Sequence, residues 1–324
     1  TGGLLAGWGL ENTVTEMISG IKDITPAIIR ILAAGVLTGM LVKTGAASSI
    51  SQAIIKKLGA KQIYLALALS AMLLTAIGVF IDVAVITIAP IALIAGSQLR
   101  LSRAKLLIAM IGGGKCGNII SPNPNSIIAA ENFNAPLPSV MAANIIPAII
   151  GLLFTIYIIV PLLPKGTILQ PTEQIEDNMR LPSLRSSVIA PIVTIVLLTL
   201  RPLFGIIIDP LVALSAGGII GIVATRNWHK TNDCLSYGLG KMSTIAILLI
   251  GTGALAGVIK ASTIKDILIN LLAGWSNGGT IMAPLSGTLM CAATASTTAG
   301  ATIASASFAQ SILGAGVAAE IGRA

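Results

Sequence analysis

Lys115 is the only cation in GGGKCGNIISPNPN, residues 112–125, a stretch of glycine, asparagine, serine and proline set between apolar turns. A lone ammonium in such a place is a counter-charge for an anion, and its cost at membrane depth means it must face a cavity or a partner. Asn118, Ser121, Asn123 and Asn125 add amides and a hydroxyl that both donate and accept, a set suited to a polyhydroxylated acid. Pro122 and Pro124 keep the loop from closing into helix, and Gly117 lets backbone approach a ligand. Asp82, the acid inside the apolar run Ile63–Gly96, is the candidate for proton coupling. Near the other end, CAATASTTAGATIASAS (residues 291–307) offers Thr294, Ser296, Thr297 and Thr298 as further substrate contacts.

Each of these has a plainer reading. Lys115 can snorkel to an interface or pair with Asp82, which would then hold two segments together instead of carrying a proton. A surface turn is also rich in Asn, Pro and Gly, although apolar turns on both sides argue against one here. Single hydroxyls in a run of Ala, Gly, Ser and Thr serve helix packing more often than binding.

The elements that must hold these residues are membrane helices. Of 324 residues 55% are hydrophobic and 10% charged, too few charges to clothe a water-facing surface. Aromatic residues make up 3%, and the apolar runs lack the period-two alternation of a transmembrane barrel strand. The net charge of +8 falls in clusters between apolar runs, the pattern of the positive-inside rule, so nucleic acid is not a partner. Three scattered cysteines and one histidine, His229, indicate neither a disulfide framework nor a metal site, and no cofactor is expected. The chain opens on Thr1 already apolar, so it is expected to begin inside a longer protein.

Ile24–Val42 predicts a span with its basic side (Lys43, Lys56, Lys57, Lys61) cytoplasmic, followed by an interfacial helix over Ser48–Leu58. Ile63–Gly96 is too long for one crossing and too short for two with a turn, which predicts a re-entrant hairpin with its tip at Thr75–Asp82. A helix starting at Ala104 is expected to break over residues 112–125 and resume at Ser126–Ala130 before a loop with Glu131 outside. Met141–Leu163 crosses back. Residues 164–186 form a cytoplasmic linker, and Val188–Ile208, Leu211–Thr225 and Thr244–Ile259 are further crossings. Ile264–Trp275 repeats the amphipathic character of Ser48–Leu58, and residues 280–316 form a second re-entrant hairpin, entered from the opposite side.

The order span, amphipathic helix, hairpin therefore occurs twice with opposed topology. The expected fold is an all-α polytopic membrane protein of inverted repeats with broken helices, residues 1–163 and 187–324, the second incomplete. Inverted repeats around broken helices are the architecture of secondary transporters, with the site near the midplane.

The run GGGKCGNIISPNPNSI resembles the gluconate permease (GntP) family, whose Gly-Gly-Lys-x-Gly-Asn and Ser-Pro-Asn-Pro-Asn pattern is matched by Gly113, Gly114, Lys115, Gly117 and Asn118, then by Ser121 to Asn125. CAATASTTAGATIAS is similar to that family's second motif. The resemblance implies a proton-coupled symporter for gluconate or a related sugar acid in the bacterial inner membrane. It also implies an ion-transporter-type superfamily whose members dimerise and move the site by an elevator-like shift. Family members are longer, so the chain is expected to be cut at both ends.

Sodium coupling remains the alternative, since carbonyls of a broken helix bind Na+ as well. An intramembrane enzyme lacks its residues: there is no histidine at membrane depth, no HExxH and no second intramembrane carboxylate to pair with Asp82. A channel fits the inverted broken helices less well than alternating access does.

Overall fold

Long apolar runs become helices here, and glycine or proline decides where they turn. A computed structural model describes residue 3 and residues 7–164, 166–168, 181–262, 278–294 and 296–314. The expected amphipathic segment 264–275, most of the linker and the last residues of the second hairpin lie outside the described residues.

The helices are α1 (Leu10–Lys43), α2 (Ala46–Leu58), α3 (Ile63–Ala76), α4 (Ile81–Gln98), α5 (Arg103–Ile119) and α6 (Pro124–Asn132). After them come α7 (Leu137–Leu162), α8 (Ile189–Phe204), α9 (Pro210–Ala224), α10 (Thr231–Ala261), α11 (Gly278–Thr294) and α12 (Thr297–Gly314). Among the described residues four helices are long and apolar enough to span a membrane: α1, α4, α7 and the stretch Trp228–Ala261 that contains α10. Ala46–Leu58 and Ala60–Ala76 meet at a bend of 107°. Gly45 and Gly59 bracket α2 with φ of 79° and 71°, left-handed conformations that a side chain would strain. Asp209 caps α9 by accepting from the Leu211 N–H at 2.8 Å, with Pro210 in the first turn.

Three expectations change. Residues 112–119 stay helical, and the break shrinks to 120–123. Glycine costs a helix only about 1 kcal/mol relative to alanine, which close packing offsets, so the glycines face a neighbour and the prolines after them make the break. α1 is 34 residues long and takes in Glu11, Glu16 and Asp23 as well as the apolar run, because charged residues outside lipid are no obstacle to helix. Glu131, expected in a loop, belongs to the last turn of α6.

By contacts the chain divides into two compact units that cut across its order. The first unit holds residues 33–123 and 144–241, the second residues 1–32, 124–143 and 242–324. In the first, α3 packs along α5 and α5 along the 145–162 part of α7, around a core of Ala68, Ala109, Cys116, Ala148 and Leu152. Lipid gives apolar side chains no reason to leave it, so helices in a membrane hold together by close approach, which small residues allow. Gly113 faces the Ala68 carbonyl, and Gly117 the Met72 carbonyl and Thr75 Oγ1, so a β-carbon at either position would collide. The π-helical turn Thr155–Ile159 precedes Pro161, which cannot donate to the ladder, and the Thr155 side chain fills the space beside Gly112. Ile146, Ile150, Leu153 and Tyr157 are exposed along one face of α7, as a lipid-facing stripe would be.

In the second unit α11 and α12 pair as a helical hairpin, and α6 lies on α12. Phe308 is fully buried among Phe133, Met282 and Ile312. Gly300 sits directly against the backbone of Cys291, which brings the two arms together.

Candidate functional site

The candidate residues fall into both units. The first holds Asp82, Lys115, Gly117, Asn118, Ser121 and Asn123; the second holds Asn125, Thr294, Ser296, Thr297 and Thr298.

In the first unit the end of α5 is closed by the side chains that follow it. Ser121 Oγ donates to the Asn118 carbonyl at 2.9 Å, and Asn123 Nδ2 donates to that carbonyl and, at 2.8 Å, to Ser121 Oγ. The Gly117 carbonyl accepts from the Ile120 N–H. A helix leaves its last carbonyls without intrahelical donors, and here the Asn and Ser of the motif supply them. Ser121 and Asn123 are buried, so the loop is a fixed object. Lys115 lies about half a turn round from Gly113 and Gly117, is exposed, and so points away from α3.

The tip of the first hairpin is anchored by Thr38 Oγ1, which donates to the Gly78 carbonyl at 3.0 Å. Asp82 follows in the first turn of α4 and is exposed, where the N-terminal end of the helix favours negative charge. Gly114 of α5 packs on Ile81, so Lys115 and Asp82 flank one contact between α5 and the start of α4.

In the second unit the hydroxyls of the hairpin tip are mostly engaged by backbone. Thr294 Oγ1 donates to the Met290 carbonyl at 2.8 Å, and Ser296 Oγ accepts from the Ala299 N–H at 3.2 Å, capping α12. Thr297 is exposed and Thr298 half-buried. Asn125 lies in the first turn of α6, where Pro124 is well placed because the N–H it lacks would have had no partner.

Sequence reasoning missed two residues. Arg30 Nη1 donates to Glu131 Oε2, an ion pair between α1 and α6, and beside it Asn132 Nδ2 donates to Ser305 Oγ of α12 at 2.8 Å. Arg30 was legible as a cation within the run Ile24–Val42, where insertion of one charge costs about 2.5–3.5 kcal/mol. Glu131 was not, because its partner is 101 positions away.

The family model described as GntP family permease matches residues 1–321. An uncharacterized transporter of Haemophilus influenzae is 50% identical over 316 residues, 97% of this chain and 75% of the relative. The Gnt-II system L-idonate transporter of Escherichia coli is 23% identical over 318 residues, 89% of this chain and 70% of the relative. The high-affinity gluconate transporter of Escherichia coli is 24% identical over 209 residues, 60% of this chain and 45% of the relative. The crystal structure of the Alcanivorax borkumensis YdaH transporter is similar in fold, with a TM-score of 0.62 at 14% identity, covering 97% of this chain and 76% of that one.

Proposed function

The chain belongs to the GntP permease family and is a multi-pass membrane transporter, and we propose that it carries a small hydroxylated organic anion such as gluconate across the bacterial inner membrane, driven by protons. The observation that carries this reading is Lys115. It is an exposed ammonium on α5, one turn before a rigid loop of Asn118, Ser121 and Asn123, in a family whose relatives include gluconate and L-idonate transporters. The ammonium serves the carboxylate and the amide-rich loop serves the hydroxyls. Asp82, beside the same helix contact, is the proton carrier of this reading. The Asn118 carbonyl, the obvious cation ligand at the break, already accepts from both Ser121 and Asn123, which favours protons over sodium there.

Two inverted repeats, each with a re-entrant hairpin, are part of the proposal. Their support is a reciprocal contact between α1 and α10. In the first unit Gly39 meets the Cys234 carbonyl and Gly238 the Gly35 carbonyl; in the second Gly257 meets the Glu16 carbonyl and Gly20 the Gly253 carbonyl. One shift converts each contact into another (257 − 39 = 234 − 16 = 238 − 20 = 253 − 35 = 218), and within either unit the two helices run antiparallel. The shift also carries the end of α3, Ala76, onto the end of α11, Thr294. Such an exchange is what a two-fold pseudo-axis across two antiparallel helices produces. A homodimer is proposed from the family resemblance.

Competition for uptake of labelled gluconate tests the substrate class. Gluconate and L-idonate should compete strongly and hexanoate, which has the carboxylate without the hydroxyls, weakly. Equal competition by hexanoate would remove the role given to the amide loop.

A further inference from the structure

Arg30 lies about three residues, roughly 4.5 Å along the axis, from the centre of the run Ile24–Val42, so in a membrane-spanning α1 its guanidinium is near the midplane and Glu131 is there with it. Neither side chain is sealed: 24% of Arg30 and 32% of Glu131 remain exposed, enough for a proton or a ligand oxygen to reach them. Among the described residues α6 packs on α12 and on Leu137–Ala143, neither of which carries an ionisable side chain, and Arg30 of α1 is the charged group paired with Glu131. Asn132 holds the neighbouring position of α6 to Ser305, so opening the ion pair does not release the helix from α12.

We propose that Arg30 is an anion-binding residue of the transport cycle and that Glu131 is its internal competitor, displaced by protonation. This rests on the reading of the chain as an organic-anion permease. With Glu131 ionised, its carboxylate occupies the guanidinium. A proton from water adds to Glu131 Oε2, the side chain becomes a neutral carboxylic acid, and Arg30 takes the carboxylate of the substrate in its place, two parallel N–H donors to two oxygens, at a step of the cycle other than the one at which Lys115 holds it. When the anion leaves, the acid gives its proton to water and the ion pair re-forms. One proton enters with one monoanion, and Arg30 is paired with one carboxylate at both ends of the exchange. The cost of two charges at that depth is thereby given a function, because a pair that protonation opens ties anion affinity to the proton gradient.

The experiment is gluconate binding to the detergent-purified protein as a function of pH, with proton uptake on binding measured in weakly buffered solution. The wild type should take up one proton per gluconate, and its affinity should weaken about tenfold per pH unit where Glu131 is ionised in the free protein. E131Q should bind gluconate with an affinity that no longer falls with pH and with no proton uptake, and R30Q should bind at least tenfold more weakly. The exchanged pair R30E/E131R, which restores the bridge without restoring the order of the charges, controls for a merely structural role. Full recovery of pH-linked binding in the exchanged protein would overturn the proposal, and so would E131Q with the pH dependence of the wild type. Wild-type gluconate affinity that is independent of pH also contradicts it, whatever the variants do. A wild type that binds neither gluconate nor L-idonate at any pH contradicts the functional reading and this inference together, whereas the E131Q result strikes the inference alone.

Discussion

Gly113 of α5 lies against the carbonyl oxygen of Ala68 in α3, with no room for a β-carbon between them. The glycine run that reads as a helix breaker is therefore the surface on which the first hairpin rests, and Lys115 is carried on the same helix.

G113A should force the two helices apart and lower stability by about 1–3 kcal/mol, the usual cost of overpacking. G251A is the control, because Gly251 is an exposed α10 residue at which a β-carbon meets nothing within 4 Å. It should be neutral or gain up to about 1 kcal/mol of helix propensity. Thermal unfolding in detergent reads both, and an unchanged midpoint for G113A would count against this packing.

That misreading marks where the sequence was legible. Hydropathy locates most of the described helices and the turn before Asp82, because lipid demands apolar runs of set length. The break was placed too early, since glycine weakens a helix without forbidding it, whereas Pro122 and Pro124 do forbid it. Ser121 and Asn123 are candidates by residue type alone, and that they close the Asn118 carbonyl is a fact of local geometry that composition does not carry. The Arg30–Glu131 pair was out of reach because it joins segments 101 positions apart.

K115A should weaken gluconate uptake at least tenfold in apparent affinity while leaving expression and unfolding midpoint unchanged, as expected for an exposed side chain. Affinity equal to wild type would reduce Lys115 to a surface charge.

D82N should reduce the acceleration of gluconate uptake by an inward proton gradient, and it should leave exchange of external for internal gluconate in place. Acceleration equal to that of the wild type would remove Asp82 as a proton carrier.

Lys61 precedes α3 and Thr280 opens α11, and both are exposed. Single cysteines at these two positions should react with a membrane-impermeant maleimide from opposite faces, the Lys61 position from the cytoplasm. Labelling of both from one face would contradict the inverted repeats.

The central claim is coupled transport, and gluconate accumulation in proteoliposomes tests it most directly. With the exterior acid relative to the lumen and no sodium gradient, labelled gluconate should rise above its equilibrium level inside and fall back when a protonophore is added. Accumulation that follows an imposed sodium gradient and ignores the protonophore, or simple equilibration under either gradient, would contradict the account.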